Sequence, residues 1–299
     1  MSDKQPVIGR FAPSPTGPLH FGSLYTALAS FLEARSQQGQ WLLRIDDLDT
    51  PRNIKGSTES ILTTLDIFGL HWDGGVAYQS RQRAVYDEIL DHMQACQMIY
   101  RCTCSRKMLT SDIYPGHCKD RPIASDRPHA LRIKTDRRMI SFHDELQGSI
   151  THNLAEQHGD FILKRRDQIT AYQFAVVIDD ERQQVNQVVR GFDLLESTPK
   201  QIYLQQLLGL ATPRYMHVPI IIDRYGYKLS KQTRATAVDL TAPGSIIFEL
   251  LVLLKQQPPP ELQHAPVTEL LDWAVLHWNP APLKNTQRID RPEKVRLPV

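Results

Sequence analysis

The chain has 299 residues, of which 41% are hydrophobic, enough for one large core or two to three modest ones. No stretch approaches the roughly 18 consecutive apolar residues of a membrane span, and residues 1–10 do not read as a signal peptide, so a cytoplasmic protein with no membrane partner is expected. A net charge of +2 excludes a basic DNA-coating protein.

There is no internal repeat and no low-complexity run. Val7 to Phe11 reads as a short buried strand that runs into a loop with Pro13, Pro15, Gly17 and Pro18. Leu24, Ala27, Leu28, Phe31 and Leu32 then recur at the spacing of one helical face. Gly39 precedes a second strand, Trp41 to Ile45, followed at once by Asp46, Asp47 and Asp49. Ile61, Leu62, Leu65 and Phe68 mark a helix stopped by Gly69. Val85, Ile89, Met93 and Cys96 mark another, which puts Cys96 on an apolar face in the core. This rhythm predicts an α/β fold with a parallel sheet. The turn-rich, charged segment from Arg101 to Gly159 interrupts it as an insertion.

The rhythm resumes at Phe161-Ile162-Leu163, with further strands expected at Ala175 to Ile178 and at Val188-Val189. Pro199 to Leu208 reads as a helix with proline in its first turn. Pro219 to Ile222 reads as a buried strand leading into Lys228-Leu229-Ser230-Lys231-Gln232. Two helices follow, around Ile246 to Leu254 and Leu270 to Val275, separated by Pro258-Pro259-Pro260. The last fifteen residues are polar, without a period, and are expected to be loosely ordered.

Three constellations carry chemistry. Pro13 to Ser23, P-S-P-T-G-P-L-H-F-G-S, lies between a strand and a helix, where α/β folds bind nucleotides and the helix N-terminus favours phosphate. There His20 can donate to a phosphate oxygen, and Gly22, lacking Cβ, lets a flat adenine approach the backbone. Lys228 and Lys231 can grip a polyphosphate as mobile point charges and stabilise charge that develops in a transition state.

Finally, all four cysteines, Cys96, Cys102, Cys104 and Cys118, lie within 23 residues, a distribution that suits metal ligands better than scattered disulfides. Cys102, Cys104 and Cys118 supply three soft ligands for a tetrahedral Zn2+. The fourth is Tyr114 or His117, and by the general habits of zinc histidine leads. No acid–base pair lies nearby in the sequence, so the zinc reads as structural. From Arg101 to Arg138, ten Lys/Arg stand against four Asp, a local net of +6 that can meet a phosphate backbone or serve as a solvated face.

The paired H-F-G-S and K-L-S-K-Q strings resemble the two nucleotide-binding motifs of the class I aminoacyl-tRNA synthetases. Gly9 to Gly17 resembles the opening of the glutamyl and glutaminyl branch. Leu43 to Thr50 resembles its R-I-E-D-T-D segment, and Val189 to Leu194 its R-G-x-D-L segment. The resemblance spans about residues 7 to 240. Fewer than 70 residues follow Gln232, too few for a full anticodon-binding domain. In this the chain is similar to the truncated family of the branch, the glutamyl-queuosine tRNA(Asp) synthetases.

The resemblance implies an ATP-dependent ligase that forms glutamyl-adenylate and esterifies queuosine in the anticodon stem-loop of tRNA(Asp), working as a monomer. The rivals are a short glutamyl-tRNA synthetase that charges a 3′ end and a non-catalytic RNA-binding paralogue. It further implies a Rossmann-type class I catalytic domain in two halves, 1–100 and 160–240. A zinc-bearing insertion, 101–159, splits the halves, and a short helical region, 241–299, follows.

Site residues carry over position by position. The glutamate site takes Arg10, Phe11, Ala12, Pro13, Ser14, Asp46, Tyr172 and Arg190, with Arg10, Tyr172 and Arg190 on the side-chain carboxylate, which suits guanidinium forks. Asp46 would hold the α-ammonium, a departure from the glutamate usual in the branch. ATP, with its Mg2+, takes His20, Gly22, Ser23 and Lys231, and the catalytic groups are His20, Lys228 and Lys231. For the fourth zinc ligand the resemblance selects Tyr114.

Overall fold

The computed structural model describes residues 6–109, 113–223, 226 and 237–291. β1 (Ile8–Phe11) is buried on both faces over its last three residues, as a strand in the middle of a parallel sheet must be. It pairs in parallel with β2 (Gln40–Ile45), Ile8 opposite Gln40 and Phe11 opposite Leu43, and β2 pairs with β3 (Ala77–Tyr78). On its other side Asn186 closes the gap. Its backbone N–H donates to Ile8 O at 3.1 Å and its Oδ1 accepts from Ile8 N–H at 2.9 Å.

That contact sets β9 (Gln187–Gly191) beside β1. β9 runs parallel to β10 (Arg214–Val218), which meets β6 (Met139–Asp144); β6 forms an antiparallel hairpin with β7 (Gly148–Asn153). Two sheets, β1-β2-β3 and β7-β6-β10-β9, thus meet edge to edge at β1 and β9, so that the strands lie in the order β3-β2-β1-β9-β10-β6-β7 and chain progress reverses direction between β1 and β9. In an open α/β sheet this reversal leaves a crevice beyond the carboxyl ends of the two strands.

Helices cover both faces. α1 (Phe21–Ser36), α2 (Ser57–Ile67), α7 (Pro243–Leu253) and α8 (Val267–His277) share one core with Phe11, Leu43 and Met216. α3 (Arg83–Ala95), α5 (Tyr172–Arg182) and α6 (Thr198–Leu208) share a second with Val188 and Tyr215. Leu24, Leu28 and Leu32 of α1 are completely buried, each worth about 1.5–3 kcal/mol. Gly39 lets α1 turn tightly into β2, because a Cβ there would lie 2.4 Å from Val7 O. α2 ends at Gly69 in the left-handed region, as expected.

Between α3 and α5 a small antiparallel sheet forms from β4 (Ile99–Cys102), β5 (Ala130–Ile133) and β8 (Ile162–Lys164). Near it lies the single-turn α4 (Leu154–Gln157). Of the long interrupting segment, the cysteines belong to this small sheet, whereas β6 and β7 extend the main one.

Three local readings need correction. Ala175 to Ile178 is not a strand but the middle of α5; every side chain from Phe174 to Asp180 is buried, so no polar face reveals the helical period. Cys96 is exposed, because α3 ends at Ala95 and its buried stripe is Tyr86, Leu90 and Met93. The C-terminal stretch is not wholly loose: β12 (Arg288–Asp290) pairs in parallel with β11 (Ile220–Ile222). No helix among the described residues is long and apolar enough to cross a membrane.

Candidate active site

The crevice between β1 and β9 collects buried charge. Arg10, near the end of β1, donates through Nε and Nη2 to the two carboxylate oxygens of Asp180 on α5, at 3.2 and 3.3 Å. Arg44, near the end of β2, donates through Nη1 to Asp180 Oδ1 at 2.7 Å and to Gln183 Oε1 at 2.9 Å. Its Nε donates to Asp46 Oδ1 at 2.8 Å. Asp179 accepts from Tyr86 Oη and from Gln79 Nε2, each at 2.7 Å.

Such charges survive burial only when paired. Burial pushes against the ionised form of Asp180, but the guanidiniums of Arg10 and Arg44 outweigh it and hold its carboxyl below the ordinary range. For Asp46 burial wins over Arg44, helped by the like charge of Asp179, and its carboxyl is pushed up to about 6. Two atoms of this network have no partner: Asp46 Oδ2 and Arg44 Nη2. An unsatisfied buried group costs about 1–3 kcal/mol, so either atom would gain from a polar partner of complementary character.

Across the crevice Arg190, in β9, is 4% exposed. Its Nη1 donates to Tyr172 Oη at 3.4 Å, Nη2 to Thr198 Oγ1 at 2.8 Å, and Nε to His217 Nε2 at 3.0 Å. His217, in β10, meets Asp144 Oδ2 through Nδ1 at 2.6 Å. Arg190 and Arg10 both lie within electrostatic reach of Tyr215, whose hydroxyl is pushed up to about 12, chiefly by burial.

At the mouth, Phe11 is buried against Trp41, their rings stacked 6.3 Å apart. Ala12 and Pro13 are half-buried and Ser14 is exposed; Pro13 O accepts from Asp46 N–H at 3.0 Å, which ties the loop to the acid. His20 caps α1: its Nδ1 accepts from Ser23 N–H at 3.2 Å and its Nε2 lies 2.9 Å from Ser23 Oγ. Gly22 forms the first turn of α1, where Thr26 Oγ1 donates to its carbonyl. Lys228 and Lys231 lie outside the described residues. The residue that follows that stretch, Ala237, pairs with His20, and Val238 N–H donates to Leu19 O at 3.1 Å.

Thus Arg10 and Asp46 share one ion network through Asp180 and Arg44, Arg190 and Tyr172 share another, and Arg10 and Arg190 both act on Tyr215 between them. Arg44, Asp144, Asp179, Asp180, Gln183, Thr198 and His217 were not singled out from sequence as site residues. A signal existed for some of them: two successive acids, Asp179-Asp180, close an apolar run, and His217 interrupts another.

The second cluster lies at the small sheet. The Sγ atoms of Cys102, Cys104 and Cys118 lie within 4.8 Å of one another. Tyr114 Oη joins them, 3.4 Å from Cys102 Sγ and 3.6 Å from Cys104 Sγ. Bonds of about 2.3 Å from sulfur to a tetrahedral zinc imply edges of about 3.8 Å, so this donor set fits Zn2+ with little movement. Arg132 donates to Cys102 Sγ at 3.3 Å and lies 3.8 Å from the Tyr114 ring centre, a cation placed where three thiolates would carry excess negative charge. Among the described residues His117 meets the cluster through a ring contact with Tyr114, 6.4 Å between centres.

Sequence comparison agrees with this architecture. The pattern of "tRNA synthetases class I (E and Q), catalytic domain" matches residues 6–113 and 116–244. A protein of Methylococcus capsulatus named glutamyl-Q tRNA(Asp) synthetase is 48% identical over 288 residues, 95% of either chain. One of the same name from Neisseria meningitidis is 48% identical over 282 residues, 91% of this chain and 95% of that one. Among solved structures, a glutamate tRNA ligase from Elizabethkingia meningosepticum in complex with its amino acid superposes with a TM-score of 0.79. It is 23% identical, over 95% of this chain and 67% of that one, a likeness of fold. Its sequence and architecture together make this chain a member of the class I tRNA synthetase family, in the glutamyl-Q tRNA(Asp) synthetase group.

Proposed function

We propose that the chain activates glutamate with ATP and transfers it to queuosine in the anticodon of tRNA(Asp). A glutamate α-carboxylate oxygen attacks the α-phosphorus of ATP in line, and the bond to pyrophosphate breaks. A hydroxyl of the queuosine cyclopentenediol then attacks the carbonyl carbon of the mixed anhydride, losing its proton, and AMP leaves.

The observation that supports this reading is the presence of opposite chemistries at the carboxyl ends of β2 and β9. Asp46 offers an unpartnered carboxylate oxygen suited to an ammonium, and Arg190 with Tyr172 offers donors suited to a carboxylate. Arg10 contributes its remaining Nη1, since Asp180 takes the other two nitrogens. Phe11, Ala12, Pro13 and Ser14 wall the amino acid in. His20, Gly22 and Ser23 receive the nucleotide at the start of α1. Lys228 and Lys231 supply the mobile charges, and Mg2+ enters with ATP.

Zn2+ held by Cys102, Cys104, Tyr114 and Cys118 ties the cysteine loop to β4 and has a structural role. Residues 101–159 lie between catalytic halves 1–100 and 160–240, their cysteine part standing as the insertion and their β6–β7 hairpin returning to the main sheet, and 241–299 form the helical C-terminal region.

Catalysis rests on positioning and charge stabilisation. Pyrophosphate exchange should depend on glutamate, with aspartate and glutamine poor. The acceptor is tested with a queuosine-bearing anticodon stem-loop that has no acceptor stem. It should take up glutamate, and periodate treatment beforehand should abolish uptake. Uptake by an intact tRNA lacking queuosine, with none by the stem-loop, would establish 3′-end charging instead.

A further inference from the structure

Arg190 differs from the other buried arginines of the crevice. Asp180 sits directly on Arg10, and Asp46 and Asp180 sit directly on Arg44. Among the described residues no carboxylate touches Arg190. Its contacts are all neutral: Tyr172 Oη, Thr198 Oγ1, Leu194 O at 3.4 Å, and His217 Nε2. A guanidinium clamped by a protein carboxylate has little charge left for a ligand, whereas one held by neutral acceptors keeps it.

The neutral contact on Nε determines its neighbour. Arg190 Nε–H can donate only to a ring nitrogen with a lone pair, so His217 Nε2 is unprotonated and the ring proton resides on Nδ1. Nδ1 faces Asp144 Oδ2 at 2.6 Å, an acceptor that locks this tautomer. Asp144 is itself held as an acceptor: its oxygens receive the backbone N–H groups of Leu146, Gln147 and His217 at 2.8–3.3 Å. Asp144 and His217 are completely buried. Thr198 Oγ1, 3.2 Å from His217 Nε2 and bonded to Arg190 Nη2, closes the arrangement. The imidazole thus spaces an acid one ring away from the guanidinium. It supplies orientation without direct neutralisation.

We propose that Asp144 and His217 are specificity-determining positioning residues: they fix the tautomer that aims Arg190 and leave its charge for the side-chain carboxylate of glutamate, against the neutral amide of glutamine. The proposal rests on the assignment of Arg190 to that carboxylate.

The test uses the full chain and glutamate-dependent pyrophosphate exchange. Asp144→Asn keeps the shape but offers an amide N–H to Nδ1. The ring proton moves to Nε2 and meets Arg190 Nε–H head-on. His217→Gln restores both contacts, with Oε1 accepting from Arg190 and Nε2 donating to Asp144.

Asp144→Asn should raise KM for glutamate about tenfold or more and lower the glutamate-over-glutamine ratio in kcat/KM about as much, with KM for ATP changed less than about twofold. His217→Gln should recover most of the glutamate affinity and of the discrimination. The proposal fails if Asp144→Asn leaves KM for glutamate and the discrimination within about twofold of the starting protein. It also fails if both variants lose glutamate and ATP affinity together with thermal stability, since the pair would then serve packing alone. Wild-type protein that shows no glutamate-dependent exchange would overturn the functional reading itself, a result distinct from either.

Discussion

Asp46 shows how one shortened side chain can set a pH dependence. Burial outweighs Arg44 and raises its carboxyl from 3.8 to about 6 in the folded chain. Folded protein therefore binds this proton more tightly than unfolded protein. The contribution to stability is full below about pH 4 and is lost as pH rises through about 6. If Asp46 holds the α-ammonium as proposed, bound glutamate reverses the sign locally, because an ammonium needs the ionised carboxylate. Calorimetry without ATP should show glutamate affinity falling as pH drops below about 6, and Asp46→Asn should remove that limb along with most of the affinity. An unchanged limb in the variant would assign the titration elsewhere. At the cysteine cluster the residue in question is Tyr114, whose hydroxyl touches two of the thiols. Tyr114→Phe should lower zinc content or affinity in metal analysis, whereas His117→Ala should leave both near the starting value. The reverse result would exchange the two ligands.

The elements that carry the sites are held by close backbone approaches. Tyr114 reaches the cysteines because its backbone pairs with Gly159, which sits at φ +64°. A Cβ on Gly159 would lie 2.5 Å from Tyr114 O, inside any permitted contact. Gly159→Ala must then move the Tyr114 segment, at a cost of about 1–3 kcal/mol from backbone strain. A lower midpoint in thermal unfolding should accompany faster zinc loss to a chelator; a lower midpoint with unchanged zinc release would separate this bridge from the metal site. β12 pairs with β11, and Arg291 just beyond it stacks 3.8 Å from the centre of the Phe21 ring at the start of α1. The C-terminal stretch that looked patternless is thus tied to the same helix that follows the Pro13–Ser23 loop.

At the scale of the whole molecule, charge is distributed less simply than a net of +6 over residues 101–138 suggests. Arg132 is spent on the cysteine cluster, Lys119 faces Asp160, and Arg138 pairs with Asp136. Lys107, Arg121, Arg127 and Arg137 are exposed and make no ion pair among the described residues. If these four meet RNA phosphates, binding of a tRNA or stem-loop should weaken with salt at a log–log slope of about −3 from this face. Reversing all four charges should flatten the measured slope by that amount. A slope unchanged in the quadruple variant would place the RNA on another face.

Much of the Pro13–Ser23 loop's setting and the order of elements was legible along the chain, because a strand, a proline-rich loop and a capped helix occupy consecutive residues and each obeys local rules. The cysteine spacing was legible for the same reason. Where local rules fell silent, so did the sequence: α5 hid its period because it is buried all round, and β12 carried no pattern because its pairing is with a strand 68 positions earlier. The site's supporting network belongs wholly to tertiary structure. Asp180 reaches Arg10 across 170 positions and Arg44 across 136, and Asp144 reaches His217 across 73. Residue types alone determined that carboxylates and guanidiniums were available. Which of them cancel and which stay open to a substrate was decided by the sheet reversal between β1 and β9, where burial removes water and leaves each charge to the partner that the fold puts beside it.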